Sequence, residues 1–201
     1  MREGANLEAL SRLEPDMVGF IFYPLSPRYV GADPDPALFR IPGSRTRKVG
    51  VFVNENLEVV RELLDRGWLD MVQLHGDEPP AYCEALSGEG WQVIKAMGPG
   101  QIADADLLGS YADVVDYFLF DTPTPAYGGS GRKYDWQLLQ AYRSELPFFL
   151  SGGIGPGDAS RIRDLVHPFF EAVDLNSRFE KAPGIKDMEL LAPFIKAIRK
   201  Q

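Results

Sequence analysis

Short apolar runs alternate with longer stretches of helical period along this chain. The runs are rich in Val, Ile, Leu, Phe and Met, as in parallel strands that are buried on both faces. They predict seven strands, at Met17–Phe22, Lys48–Phe52, Met71–Leu74, Gln92–Lys95, Tyr117–Asp121, Pro147–Leu150 and Ala172–Leu175. This alternation is typical of βα units around a parallel sheet.

The stretches outside these strands predict helices. Apolar residues recur in them at one-face spacing, and Asn or Asp stands at several of the expected helix starts. The predicted helices are Asn6–Leu13, Glu55–Arg66, Pro80–Leu86, Asp104–Tyr111, Asp135–Ser144, Asp158–Val166 and Met188–Lys200. The Pro-rich segment Pro24–Gly43 is expected to carry little helix.

The order of these elements predicts an incomplete barrel. No low-complexity segment interrupts the pattern, so residues 1–201 are expected to form one domain. A TIM-type (β/α)8 barrel has eight strands and typically about 250 residues. Here a helix comes first and one strand is missing. We therefore expect an α/β barrel of TIM type that lacks its first strand, open and C-shaped, with two unpaired edges liable to self-association.

The composition limits the classes of partner and the cellular compartment that are expected for this chain. The formal charge of −8 and the pI of about 4.8 argue against nucleic acid or an anionic membrane as a main partner. The single Cys83 permits no internal disulfide and argues against a structural zinc site. The charged start and the absence of a long apolar run predict a soluble cytoplasmic protein.

Glycine-rich segments follow three of the predicted strands, where ligands bind in parallel α/β folds. A tight βα turn explains any one of them alone. Together they predict a cradle of backbone amides for a phosphate group. Its residues are Gly129, Ser130 and Gly131 after the fifth strand, Gly152 and Gly153 after the sixth, and Ser177 and Arg178 after the seventh.

Two charged residues at strand ends have candidate roles in chemistry. Asp121 ends the apolar run YFLF, where a partly desolvated carboxyl group would hold its proton as a general acid must. It could equally cap the following turn. Arg28 lies in a loop stiffened by Pro24 and Pro27 and could present its guanidinium to a carboxylate, although a surface arginine is the commoner case.

Three further residues are open to more than one interpretation. His75 follows the run VQL, where a structural hydrogen bond is more common than catalysis. Asp174 either orients a site or pairs with an internal partner. Cys83 lies in a short outer helix and is expected to be inert packing.

The blocks GFIFYPLSPRYV, KVGVFVN, VQLHGDE, FDTPTPAYGGSGRKYDW, SGGI and DLNSRFEKAPGIKD together resemble the phosphoribosylanthranilate isomerase family of tryptophan biosynthesis. The resemblance runs from Met1 to about Asp187. It implies a TIM barrel that performs an Amadori rearrangement of a phosphosugar substrate, without metal or organic cofactor. It also implies that Asp121 is the general acid, that Arg28 meets the anthranilate end, that the glycine-rich loops hold the phosphate, and that His75 shapes the site.

One part of the family pattern is missing. The family's general base is a cysteine in a Lys-x-Cys-Gly block at the end of the first barrel strand, and the 201 residues contain no such block. We hypothesise that Met1 is an internal methionine of a longer natural protein. For the 201-residue chain we expect weakened ligand binding and turnover that is nearly or wholly lost.

Two alternatives follow from the same residues. Another phosphosugar barrel, such as indole-glycerol-phosphate synthase, would need catalytic Lys and Glu residues at strand ends, and Lys95 is the only obvious candidate. A catalytically silent barrel that binds a phosphorylated ligand is the other alternative, since the base is missing.

Overall fold

A single parallel sheet forms the centre of the molecule. The computed structural model of this chain describes residues 1–122 and 134–199. The strands are β1 (Met17–Ile21), β2 (Arg47–Phe52), β3 (Met71–Leu74), β4 (Gln92–Met97), β5 (Tyr117–Phe120), β6 (Phe148–Leu150) and β7 (Phe170–Val173). Each strand pairs in parallel with the next one along the chain. The predicted parallel α/β architecture is confirmed, with every strand within two residues of its predicted bounds.

Helices cover the outer side of the sheet. They are α1 (Gly4–Ser11), α2 (Leu57–Asp65), α3 (Pro80–Ser87), α4 (Ala105–Tyr111), α5 (Ala159–Arg163) and α6 (Met188–Ile198). Short 3₁₀ turns lie at Pro36–Arg40, Pro99–Gln101, Pro156–Asp158 and Ser177–Phe179. Among the described residues no helix is both long and apolar enough to cross a membrane.

The structure corrects two predicted helices and adds a hairpin. The predicted helix Asp135–Ser144 is a 3₁₀ turn over Trp136–Ala141. Three-residue spacing places Trp136 and Leu139 on the same side, and both are buried. The helix α5 ends at Arg163, short of the predicted Val166, whose side chain is exposed. An unpredicted antiparallel hairpin follows β7, with strands β8 (Glu180–Ala182) and β9 (Ile185–Lys186).

Alternation along the strands divides the core in two. The larger apolar cluster lies between the sheet and the helices, and includes Val72, Leu74 and Phe118. The smaller cluster lies on the other, inner face of the sheet, and consists of Val49, Met71, Ile94, Leu119 and Phe149. Because successive side chains of a strand point to opposite faces, each of the strands β2 to β6 contributes to both clusters.

The sheet is a curled half-barrel that leaves a seam between β1 and β7. In the part of the chain that the structure describes, these two strands do not pair with each other. The edge of β1 is nevertheless partly covered, because the Gly19 carbonyl accepts a hydrogen bond from the Met1 amine (3.1 Å) and the Ile21 carbonyl accepts one from the Val30 amide (3.0 Å). The expectation of two unpaired edges therefore needs correction for β1.

Side-chain contacts hold the two sides of the seam together. At one end, the side chain of Asn6 in α1 makes two hydrogen bonds to the backbone of Lys186. Its Nδ2 donates to the Lys186 carbonyl (2.8 Å), and its Oδ1 accepts from the Lys186 backbone amide (2.7 Å). At the other end, the Arg199 guanidinium donates to the carbonyls of Leu13 (3.1 Å) and Glu14 (2.6 Å). These contacts join the start of the chain to its last helix and hairpin without a shared strand.

Candidate active site

A cavity of about 410 Å³ lies on the inner face of the sheet and reaches into the seam. Its lining holds six residues that the sequence singled out for ligand binding or catalysis: Arg28, His75, Asp121, Gly152, Gly153 and Ser177. Glu180 and Lys186 of the hairpin line it as well. The cavity therefore brings together six of the ten predicted site residues, at the carboxyl ends of the strands.

The period of two along the strands explains why these side chains converge. In β3 and its continuation, Met71 belongs to the inner cluster, so Gln73 and His75 follow it on the same face. In β5, Leu119 is in the inner cluster and Asp121 lies two residues further on. The inner face is thus apolar along the strands and polar where they end.

Asp121 and His75 are in direct contact. The His75 Nε2 atom lies 3.2 Å from Asp121 Oδ2, and the Thr122 amide donates to Asp121 Oδ1 at 2.8 Å. The Gln73 side-chain nitrogen lies 2.8 Å from His75 Nδ1. Because an amide nitrogen only donates, Nδ1 accepts, and the proton of the neutral ring is on Nε2, facing Asp121. Gln73, which sequence reasoning missed, thus orients His75 toward the carboxylate.

Asp174 follows β7 and is buried in the same cavity lining. The Ser151 hydroxyl donates to its Oδ2 atom at 3.0 Å, so an internal partner is present. Burial raises the pKa of Asp174, and the negative charge of Asp121 raises it further. The structure therefore places a second carboxyl group, that of Asp174, near Asp121, and its raised pKa favours the protonated form.

Arg28 is not the surface arginine that is the commoner case, because it is buried and its guanidinium holds a carboxylate of its own chain. Its Nε donates to both carboxylate oxygens of Glu180 (3.1 and 2.9 Å), and its Nη2 donates to Oε2 (2.7 Å). Both side chains are nearly fully buried. The reason for the difference is tertiary, since Glu180 lies in the unpredicted hairpin and reaches Arg28 across the seam.

The predicted phosphate residues have different outcomes. Gly152 (φ 89°) and Gly153 (φ 67°) adopt the left-handed conformation that favours glycine. A Cβ atom on Gly152 would also lie 3.0 Å from the Thr122 amide nitrogen, so this loop needs glycine for space. Arg178 lies beside Gly155 rather than in the cavity lining, while Gly129, Ser130 and Gly131 lie outside the described residues.

Lys95 and Cys83 lie away from the cavity. The Lys95 ammonium donates to Glu78 (2.9 Å) and to the carbonyls of Leu74 (3.2 Å) and Gly76 (2.6 Å), which uses all three of its donors. It is a buried structural cation, which weakens the synthase alternative. Cys83 is buried in α3, and burial raises its thiol pKa to about 11.

Glu180, Lys186 and Ser151 were also missed by sequence reasoning. Glu180 and Lys186 stand within the quoted block DLNSRFEKAPGIKD, and Ser151 stands within SGGI, so their neighbourhood was visible but their partners were not. Within residues 1–122 and 134–199, no group of three His, Cys, Asp or Glu side chains is arranged to hold a metal ion.

Fold and site together define an α/β-barrel protein whose ligand cavity lies at the carboxyl ends of its strands. Residues 1–197 match the family model described as N-(5'-phosphoribosyl)anthranilate (PRA) isomerase. The chain therefore belongs to the N-(5'-phosphoribosyl)anthranilate isomerase family, whose members are isomerases of tryptophan biosynthesis. The resemblance drawn from the sequence blocks is confirmed.

Relatives and solved structures agree with this assignment. The chain is 43% identical to the N-(5'-phosphoribosyl)anthranilate isomerase of Parabacteroides distasonis over 98% of the chain and 90% of the relative. The phosphoribosyl anthranilate isomerase structure from Thermotoga maritima matches with a TM-score of 0.80 at 35% identity, covering 100% of this chain and 96% of that one. The Thermus thermophilus enzyme matches with a TM-score of 0.81 at 29% identity, over 98% and 94%.

Proposed function

We propose that this chain acts on N-(5'-phosphoribosyl)anthranilate by an Amadori rearrangement, with Asp121 as the general acid. The observation that carries the proposal is the placement of Asp121 in the cavity lining, in contact with His75 Nε2 at 3.2 Å. A related isomerase has been crystallised with reduced 1-(o-carboxyphenylamino)-1-deoxyribulose 5-phosphate, an analogue of the rearranged product.

Asp121 begins the reaction by donating its proton to the furanose ring oxygen. The bond between that oxygen and C1 breaks, and the nitrogen lone pair forms a protonated Schiff base. The negative charge left on Asp121 is stabilised by the Nε2 proton of His75 and by the Thr122 amide. A base then removes the C2 proton, and the resulting enolamine tautomerises to the ketone.

The two ends of the cavity suit the two ends of this substrate. Gly152 and Gly153 lie in the loop after β6, and Ser177 opens a 3₁₀ turn after β7, so their backbone amides favour the phosphate. Arg28 lies in the loop after β1 and favours the anthranilate carboxylate. The contributions of Arg178, Gly129, Ser130 and Gly131 remain proposals from the sequence.

For the 201 residues alone we propose that turnover is nearly absent. No cysteine lines the cavity among the described residues, and Cys83 lies on the far side of the sheet with its thiol pKa raised to about 11. An acid without a base leaves the C2 proton in place, so the reaction stops at the Schiff base. The seam beside β1 also leaves the cavity open, which weakens ligand binding.

The test uses the chain preceded by a strand that carries the family's Lys-x-Cys-Gly block. It compares the turnover of Asp121→Asn with the turnover of the unaltered protein in this extended form. We expect turnover with the block present and a loss of about 10²–10⁴-fold in Asp121→Asn, since the amide has no proton of suitable acidity to donate. Asp113→Asn, an exposed substitution with the same change of charge, is the control. Full turnover in Asp121→Asn contradicts the proposal.

The same experiment separates the alternative function. A silent barrel that binds phosphorylated ligands would bind the reduced product analogue in calorimetry but would show no turnover even with the block restored. Recovery of turnover supports the isomerase instead.

We also propose that the chain self-associates through β7. The Asp174 amide donates to Leu150 of β6, so by alternation the Val173 amide faces away from the sheet. The edge of β1 is partly covered, so the open edge of β7 is the one available to a second copy, in antiparallel pairing about a twofold axis.

Sedimentation velocity over a range of concentrations tests the self-association. We expect a dimer that Val173→Pro abolishes, because proline removes the outward donor. A chain that stays monomeric at every concentration contradicts the proposal, and circular dichroism of Val173→Pro checks that the variant is folded.

A further inference from the structure

Glu180 is a buried carboxylate that the proposed reaction does not use. It accepts hydrogen bonds from Arg28 through Nε (3.1 and 2.9 Å) and Nη2 (2.7 Å), from the Gly184 amide (3.1 Å), and from Lys186 Nζ (3.4 Å). Gly184, with φ 82°, makes the turn that brings its amide back to Glu180. A carboxylate with this many donors has one position and one orientation.

The orientation of Glu180 decides which edge of the Arg28 guanidinium is used. A guanidinium offers a side edge, formed by Nε and Nη2, and an end edge, formed by Nη1 and Nη2. Glu180 occupies the side edge. Within the described parts of the chain Nη1 has no hydrogen-bond partner, and Arg28 lines the cavity, so its end edge remains available to a second carboxylate.

The local charge also suits an anionic group. Two cations, Arg28 and Lys186, share the single carboxylate of Glu180. The three donors of Lys186 are directed at Glu180, the Leu175 carbonyl and the Asn176 side chain. Lys186 therefore helps to fix Glu180 and has no donor left for a ligand, whereas the end edge of Arg28 is still available.

We propose that Glu180 is a positioning residue that sets specificity for a ligand carrying an aromatic carboxylate. It holds Arg28 by the side edge so that the end edge meets that carboxylate in two parallel hydrogen bonds. The inference rests on the proposed function, because it takes the anthranilate end of the substrate to lie at Arg28.

The experiment measures binding of two ligands to the 201-residue chain and to Glu180→Gln by calorimetry. One ligand is reduced 1-(o-carboxyphenylamino)-1-deoxyribulose 5-phosphate, and the other is the same compound with hydrogen in place of the ring carboxylate. We expect Glu180→Gln to weaken binding of the carboxylated ligand about tenfold and to leave the affinity for the other within about twofold, since only the first uses Arg28.

Two control variants make the outcome decisive. Glu180→Asp keeps the charge and is expected to recover part of the lost affinity, and it serves as the second variant should Glu180→Gln fail to fold. Glu8→Gln removes a charge from the exposed side of α1 and should change neither affinity. Equal weakening of both ligands by Glu180→Gln would mean a purely structural role and overturns the inference. Failure of the unaltered chain to bind either ligand would overturn the proposed function itself.

Discussion

Gln73 determines which nitrogen of His75 carries the proton. Its amide nitrogen lies 2.8 Å from Nδ1 and fixes that atom as an acceptor. Replacement by leucine removes the donor and should yield a mixture of ring tautomers. Replacement by glutamate supplies an acceptor instead, so Nδ1 should become the ring nitrogen that carries the proton.

Nitrogen NMR of the labelled histidine rings measures this directly. The chain has two histidines, and His167 lies away from the cavity, so it is an internal control whose ring signals should not change. A wild-type spectrum in which the Nδ1 atom of His75 is protonated would contradict the assigned orientation of Gln73.

Gly76, which follows His75, is required by the close packing of two loops near the site. A Cβ atom on Gly76, the residue after His75, would clash with the side chain of Asn54 and would lie 2.7 Å from the Asn54 backbone nitrogen. The glycine of the VQLHGDE block therefore allows the loops after β2 and β3 to pack closely. That packing holds His75 at the cavity.

At the scale of elements, α1 and the hairpin depend on Asn6. Its side chain makes both a donor and an acceptor contact with the backbone of Lys186. Asn6→Ala leaves two partly buried backbone groups without partners and should lower the free energy of unfolding by about 1–3 kcal/mol.

Thermal and urea unfolding of Asn6→Ala test this contribution. Glu8→Ala, on the exposed side of the same helix, should change stability by less than about 0.5 kcal/mol. Equal stability of Asn6→Ala and the unaltered chain would show that the hairpin is held by other contacts.

At the scale of the whole molecule, stability should depend on pH through Asp174. Burial raises its pKa in the folded state above the ordinary value of 3.8. The folded state therefore keeps a proton that the unfolded chain has lost, so this stabilising contribution is complete below pH 3.8 and is lost as the pH rises through the folded-state pKa. Asp174→Asn removes this loss and should be more stable than the unaltered chain at pH 7, with little advantage at pH 3.

Unfolding of the two proteins from pH 3 to pH 7 checks the sign. The difference in stability should grow with pH, because other carboxyl groups titrate alike in both proteins and cancel. Asp33→Asn, in an exposed loop, should show no such trend. A constant or shrinking difference would mean that Asp174 keeps no extra proton in the fold.

Much of the fold and part of the site could be predicted from the sequence alone. Short runs of apolar residues defined the seven strands, and strand order placed Asp121 and His75 at one edge of the sheet. The same reasoning placed Gly152 and Gly153 in the loop after β6. These features are local, since a short apolar run and the residue after its end are properties of a few consecutive positions.

The tertiary structure decided the contacts between residues that lie far apart in the sequence, because local sequence patterns do not contain them. The contact between Arg28 and Glu180 joins residues 152 positions apart, and the Asn6 contact joins residues 180 apart. The hairpin that carries Glu180 has strands of only three and two residues, too short to leave a period. Such long-range pairs depend on how the curled sheet brings its two ends together, so the partner of Arg28 emerged only from the folded chain.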